Sequence, residues 1–365
     1  MPVDARSIRR AIGTLALSAL GTHFSIPASA QERAVRAPAQ TYTTPAERRE
    51  TGRSRSLTPW LSATALLETE FQRRRIRASP GGITSRSWDA TTSLQLGLVA
   101  APSPAIQAEL VLQYESEATR PEADEAILTL SQEEWEFEAG RMFTPLGQYF
   151  SHFPSGPLLE FGETRAEGVA VAYAPSDMLE FKLMRYAGRA RPAGAGRWSL
   201  DWAAAVEGRF GGGWRLGASY QSDLADAADG LPEEVGRRHA RRVAAAAAFV
   251  RWTDERFDVT AELLSALRAF PELAPDRDRP RAWNLEFARF VGARWLGAVR
   301  FEGSHELEEA PRRRWGIVAS WLPDPRVAIS IEYLNGQVPG ERPVSEEARP
   351  DTRIHQVGIR ISLEP

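Results

Sequence analysis

The chain has no cysteine among its 365 residues. That excludes a disulfide framework and a thiolate metal site, so stability has to come from the fold itself. Histidine is nearly as scarce, with five in all: His23, His152, His239, His305 and His355. No His-Glu-x-x-His or Gly-x-Ser-x-Gly arrangement occurs, and His-x-Ser occurs only at His23-Phe24-Ser25, within the first thirty residues, so the common signatures of zinc and serine hydrolases are missing from the rest of the chain. Neither a metal nor a cofactor is expected. After residue 30 no run approaches 18 consecutive apolar residues, which excludes a transmembrane helix on hydropathy grounds. A strong charge of either sign is missing too. The formal net charge is −3, which argues against nucleic acid as a partner. Modest average hydropathy does not exclude a membrane β-barrel, because such a barrel shows only every second residue to lipid.

What is present begins with an export signal. Arg6, Arg9 and Arg10 precede the apolar run Ile12–Leu20, and Pro27-Ala28-Ser29-Ala30 supplies a small-residue cleavage site. This layout predicts a secretory signal peptide over residues 1–30, cleaved after Ala30. Asp4 against three arginines gives that segment a net charge of +2, so the exported chain carries −3 − 2 = −5. Residues 31–58 are polar and rich in Arg, Thr, Ser and Pro; they read as a flexible periplasmic segment. Residues 59–365 read as one domain.

From Trp60 to Leu363 the texture is constant. Segments alternate apolar and polar residues, the period-2 sign of half-buried strands. In Leu61–Gln72, Leu61, Ala63, Ala65, Leu67 and Phe71 share one face, and Ser62, Thr64, Glu68, Glu70 and Gln72 the other. About sixteen such strands are counted, an even number as in bacterial outer-membrane barrels. Their connections alternate strictly between tight (101–105, 131–134, 174–177, 211–213, 253–256, 290–293, 322–325) and long (73–84, 116–122, 141–166, 187–198, 222–241, 267–281, 303–313, 334–351). Short periplasmic turns and long outer loops are the asymmetry of a membrane barrel. The expected fold is therefore all-β, a transmembrane antiparallel up-and-down β-barrel in the Gram-negative outer membrane. Arg241–Val250 runs against this, since its alanines favour a helix; the alternating residues that follow place a strand there. Trp135, Trp214, Trp252, Trp295 and Trp321 lie beside tight turns, and Trp88, Trp198, Trp283 and Trp315 beside long loops, as two interfacial girdles require. Arginines at 73–75, 237–242 and 312–314 fall at the long connections and suit lipopolysaccharide phosphates.

The polar strand faces place Glu109, Glu138, Lys182, Glu262, Glu286, Arg300 and Arg360 on an inner wall. So many charges do not fit a dry core, whereas about sixteen strands enclose an aqueous channel. Residues 140–165, GRMFTPLGQYFSHFPSGPLLEFGETR, carry too much aromatic surface to lie bare in water. They are expected to fold inward as a constriction loop, with Pro145, Gly147, Tyr149, His152, Phe153, Glu160, Glu163 and Arg165 at the narrowing. Glu160 and Glu163 would then face basic wall residues, namely Lys182, Arg300 and Arg360. His152 reads as a solvated loop histidine, with contact to a ligand as the alternative.

The same stretch resembles the signature of LbtU-type siderophore porins. Gly140-Arg141 ends a strand, Pro145-Leu146-Gly147 and Pro157-Leu158 follow, and Gly162-Glu163-Thr164-Arg165 precedes the next strand. The resemblance covers about thirty residues and implies an outer-membrane porin-like protein that passes ferric siderophores. The leading functional expectation is a channel for small solutes; an adhesion or surface scaffold is the alternative, and a barrel enzyme ranks third. The implied partners are outer-membrane lipid and lipopolysaccharide, a small solute, the barrel-assembly machinery and further copies of the chain in a homo-oligomer.

Overall fold

A computed structural model of the chain describes residues 55–78, 84–116, 118, 120–194, 196, 199–227, 238–307, 310–324, 326–338 and 352–364. The export signal, residues 31–54 and Trp198 lie outside the described residues. The alternating segments form β2 (Leu61–Ala78), β3 (Thr84–Ser103), β4 (Ile106–Glu115), β5 (Glu122–Gln132), β6 (Trp135–Phe143), β7 (Arg165–Ser176) and β8 (Leu179–Ala187). They continue as β10 (Asp201–Phe210), β11 (Trp214–Gln221), β13 (Ala245–Thr253), β14 (Phe257–Ala266), β15 (Arg281–Val291), β16 (Trp295–His305), β17 (Arg313–Asp324), β18 (Val327–Val338) and β19 (Thr352–Leu363). Each of these sixteen pairs antiparallel with the next, and β19 closes on β2 through Thr352↔Ala78 to Leu363↔Leu67. Closure satisfies every strand edge, which a sheet in lipid requires.

Three small strands stand outside the ring. β1 (Arg55–Thr58) pairs with the start of β2, Arg55↔Ala63, beyond the point where β19 has ended. The last four residues of the segment read as a flexible lead-in are thus ordered against the barrel. β9 (Arg191–Pro192) and β12 (Arg238–His239) form a two-residue parallel pair that ties two outer loops together.

The strand phase follows the sequence pattern. Along β15, Trp283, Leu285 and Phe287 are exposed on the outside, while Ala282, Asn284, Glu286 and Ala288 are buried on the inside. Trp135 stacks on Tyr173 at 4.4 Å and Trp295 on Trp321 at 6.0 Å at the short-turn end. At the long-loop end Trp202 stacks on Tyr220 at 4.7 Å and Trp315 meets Tyr333 edge-on at 5.6 Å. Two aromatic bands bound an apolar outer belt.

β13 is a strand despite its alanines, held by β11 on one side and β14 on the other. Tertiary pairing overrides a propensity worth a few tenths of a kcal/mol per residue. Arg73, Arg74 and Arg75 are not in a loop but within β2, and Arg313 and Arg314 are within β17. β2 and β3 run 18 and 20 residues, about 60 Å at roughly 3.3 Å per residue. Tilted by about 40°, the strands rise roughly 45 Å, against an apolar band of about 25 Å in such barrels, so this hairpin extends beyond the band.

Candidate functional site: the loop inside the barrel

The loop between β6 and β7 follows a strand that already holds a special position, Gly140, three residues before its end. Gly140 has φ +142°, and a Cβ there would overlap the Ala126 carbonyl, so no other residue fits without moving the neighbouring strand. Both loop ends are then tied to one side chain of β11. Thr144 Oγ1 donates to Gln221 Oε1 at 2.7 Å, and Gln221 Nε2 donates to Thr164 Oγ1 at 3.0 Å. Gly147, at φ +74°, bends the chain and donates its N–H to Ser219 Oγ at 2.9 Å.

From there the loop crosses the inner wall, and four of its strands supply an acid to the loop backbone. Glu262 of β14 accepts from the N–H groups of Gln148 (2.6 Å) and Tyr149 (3.0 Å). Glu286 of β15 accepts from His152 N–H and Ser151 Oγ, both at 2.7 Å. Glu332 of β18 accepts from Ser155 Oγ (2.9 Å) and N–H (3.2 Å). Glu302 of β16 accepts from Leu158 N–H at 2.8 Å. Basic wall residues take the loop carbonyls: Arg300 Nη1 donates to Ser155 O at 2.8 Å, Arg314 Nη2 to Gly156 O at 3.4 Å, and Arg360 to Pro154 O. Arg300 and Arg314 also converge on Glu302 Oε1, at 2.9 and 2.6 Å. Hydrogen bonds to ionised groups are the stronger class, and here they hold an irregular segment that has no ladder of its own.

The aromatic residues fill the remaining gaps. Phe150 lies 3.6 Å from the Arg251 guanidinium, and Phe153 lies 4.2 Å from that of Arg300. Phe153 packs among Ala288, Leu296, Ala298, Val318 and Leu334. Leu146, Leu159 and Phe161 pack on Ala245, Ala247, Leu264 and Ala282. The loop is therefore inside the barrel, on the wall built by β11 to β19.

This placement changes the reading of several residues. Glu262, Glu286 and Arg300 do not line open water; they are 3%, 1% and 0% exposed, sealed between wall and loop. His152 is not solvated: it is buried, edge-on to Phe150 and Phe290, with Nε2 3.3 Å from Asp258. Lys182 does not answer Glu160 or Glu163; it pairs with Glu138 at 2.6 Å on the uncovered side. Arg165 pairs with Asp124 at 2.5 Å and lies over Phe143, where it fastens the loop's exit. Pro145 and Tyr149 are half-buried in the descending limb. Glu109 sits half-buried on β4, facing the half of the bore that the loop leaves uncovered. Glu302 and Glu332 fall on the inward face by strand phase, but their role in anchoring the loop, and that of Arg314, was not expected from sequence. The signal for the two acids was an inward Glu on each of β14, β15, β16 and β18.

Glu160 and Glu163 do reach the bore. Glu160 is open to water there, but the surrounding barrel removes most of the bulk solvent. That desolvation pushes its carboxyl up to about 8, helped by Glu163 and opposed by Arg300 and Arg360. Arg300 and Arg360 thus act on Glu160 through the field, while their hydrogen bonds go to loop carbonyls, to the Ser151 and Ser155 hydroxyls and to Glu70.

A second polar cluster closes the outer loops. His239 Nε2 lies 2.7 Å from Asp223, Arg242 Nε lies 2.5 Å from Asp201, and Ala190 N–H donates to Asp226 at 2.9 Å. Burial pushes Asp226 up to about 7, with Asp223 and Asp201 adding to the rise against the Ala190 hydrogen bond. Burial works against protonation of His239, but the Asp223 hydrogen bond and charge outweigh it and raise its pKa.

No protein-family model and no curated protein matches the chain. Solved structures do. It is similar to the outer membrane channel DcaP of Acinetobacter baumannii, at 12% identity over 84% of this chain and 97% of that one, with a TM-score of 0.59. It is similar to an anion-selective porin from Comamonas acidovorans, at 11% identity over 83% and 100%, TM-score 0.60. It is also similar to Salmonella typhi OmpF, solved with daunomycin, at 12% identity over 83% and 98%, TM-score 0.57. The likeness is one of fold. It covers the whole sixteen-stranded barrel, and at this identity it says nothing of which solute each protein takes.

Proposed function

We propose that the chain is an outer-membrane porin-like channel for small hydrophilic solutes, with residues 143–163 as its constriction. The observation that carries this reading is the asymmetry of the inner wall. The loop covers β11 to β19, while the wall opposite keeps Gln72, Gln95, Gln113, Glu109, Glu138 and Lys182 around an unfilled bore. A scaffold or adhesin would not need a wide, polar, half-covered interior. Planar-bilayer recording tests the proposal: the purified barrel conducts, and deletion of Gln148–Leu158 raises single-channel conductance. A deletion variant that inserts normally and conducts as before would refute the loop as constriction.

Export through the 1–30 signal, insertion by the barrel-assembly machinery and self-association belong to the same reading. The motif at residues 140–165 supports ferric siderophores as one cargo, which an uptake assay with labelled iron checks. Lipopolysaccharide as a partner is supported by the tall hairpin. Arg75 stands directly across from Arg86, and Arg77 from Arg353. Like charges in such pairs repel, and phosphate anions above the outer aromatic band relieve them.

A further inference from the structure

Beside the loop, at the outer end of the bore, lies a cavity of about 490 Å³. Its walls are of two kinds. Leu158, Phe161, Leu307 and Ile354 make an apolar surface. Set into it are charges from opposite sides: Glu160 and Glu163 from the loop, and Arg74 and Arg314 from β2 and β17. Arg314 is already committed to Glu302 and to the Gly156 carbonyl. Arg74 is not. It is half-buried on the inward face of β2, and among the described residues no hydrogen bond or ion pair takes its guanidinium. The Glu160 carboxyl is likewise without a hydrogen-bond or ion-pair partner among the described residues; it lies over Gly156, where a Cβ would overlap it. One guanidinium and one carboxyl thus border the same cavity without pairing with each other, and a cationic group brought against the carboxyl favours its ionised form.

Opposed charges inside a barrel are screened less than charges on an open surface. A ligand that meets both must carry a cationic and an anionic group, with an apolar body between or beside them to cover the leucine and phenylalanine surface. The volume lies within the range of small-molecule sites. We propose that this cavity is a binding site on the permeation path for small zwitterions with an apolar body, of the size of an amino acid or short peptide. Arg74 takes the carboxylate and Glu160 the ammonium. The inference rests on the channel reading above and names a solute class for it.

Three probes of nearly equal size separate the possibilities: phenylalanine as zwitterion, phenylalaninamide as cation and N-acetylphenylalanine as anion. Each is added to the outer side of a single inserted channel, and the dwell time of current blockades is measured. The zwitterion is expected to dwell longest. Arg74→Gln and Glu160→Gln should each shorten its dwell about tenfold, the scale of one charge-assisted hydrogen bond. Arg74→Lys, which keeps the charge, should retain most of the zwitterion preference. Equal dwell of all three probes in a conducting wild-type channel would overturn the site and leave the pore standing. A folded, inserted barrel that carries no current would instead overturn the channel reading on which the site depends.

Discussion

Glu302 is the point where wall and loop are most tightly joined, and Glu302→Gln is the sharpest test of how the loop is held. The carboxylate is 1% exposed and gathers Arg300, which is fully buried, Arg314 and the Leu158 N–H. The amide is nearly isosteric, so packing is kept and the charge alone is removed. Two guanidiniums then face each other with no anion between them. Breaking a buried ion pair by removing one partner costs about 3–5 kcal/mol. Glu286 and Glu332 lie near enough to Arg300 to share part of the load, so the lower end, about 3 kcal/mol, applies. The closed barrel keeps its ladder of backbone bonds, and the penalty falls on the loop contacts at Ser155–Leu158. At about 1.4 kcal/mol per tenfold change, the population with this segment lifted off the wall should rise roughly a hundredfold. Single-channel traces should then show open-channel noise and excursions to a larger conductance. Amide exchange should quicken at His152–Leu158 and stay unchanged in β14 to β18. Glu138→Gln, which breaks an ion pair on the uncovered wall, should leave the noise as in the wild type. If Glu302→Gln inserts and its noise and loop exchange match the wild type, the acid–backbone contacts do not hold the loop.

Three further outcomes follow from the same geometry. Leu285 is 45% exposed at the middle of the outer belt; Leu285→Arg should impair insertion, at a cost of about 2–4 kcal/mol near the bilayer midplane, whereas Gln95→Arg, facing the bore, should accumulate normally in the membrane fraction. With the Glu160 carboxyl pushed up to about 8, its negative charge develops only as pH rises through that value, so reversal potentials should grow more cation-selective between pH 7 and pH 9, and a Glu160→Gln, Glu163→Gln variant should lose that rise. In the outer cluster, Asp226 holds its proton up to about 7 against an ordinary 3.8, so its stabilising proton is lost as pH climbs between those values. The His239 contribution is complete below its ordinary 6.5 and lost as pH rises through the raised value; both signs agree, and protease nicking of the outer loops should be slower at pH 5 than at pH 9.

The barrel was legible because two signals are strictly local. A period of two assigns each residue to the lipid or the bore without knowledge of its neighbours, and connection length sorts the two ends. Both succeed even through Ala245–Ala248, where propensity alone points to helix. What periodicity cannot say is what covers an inward face. Glu109 and Glu286 have the same phase and the same chemistry in the sequence, yet one borders open bore and the other is sealed under the loop. That difference is set by contacts more than a hundred residues apart, such as Ser151 to Glu286.

A trace of it was nonetheless written along the chain, in side-chain size. On the covered wall the inward positions beside the acids are small: Ala245, Ala247, Ala266, Ala282, Ala288, Ala298 and Gly316. A Cβ at Gly316 would meet Phe153 and Leu334. On the uncovered wall Gln72, Gln95, Gln113 and Lys182 are long, half-buried inward side chains, Lys182 being paired with Glu138, while small buried residues stand only at Ala166, Ala170, Ala172 and Ala203 among the described alanines there. Small residues let an inserted segment approach the wall to packing distance, and an acid at intervals gives its unpaired N–H groups an acceptor. The two features are useful only together, since alanines without acceptors would leave buried amides unsatisfied, and acids without space would hold the loop off the wall. Their coincidence on β14, β15 and β16, where Glu262, Glu286 and Glu302 accept from the loop backbone, marks where the loop lies.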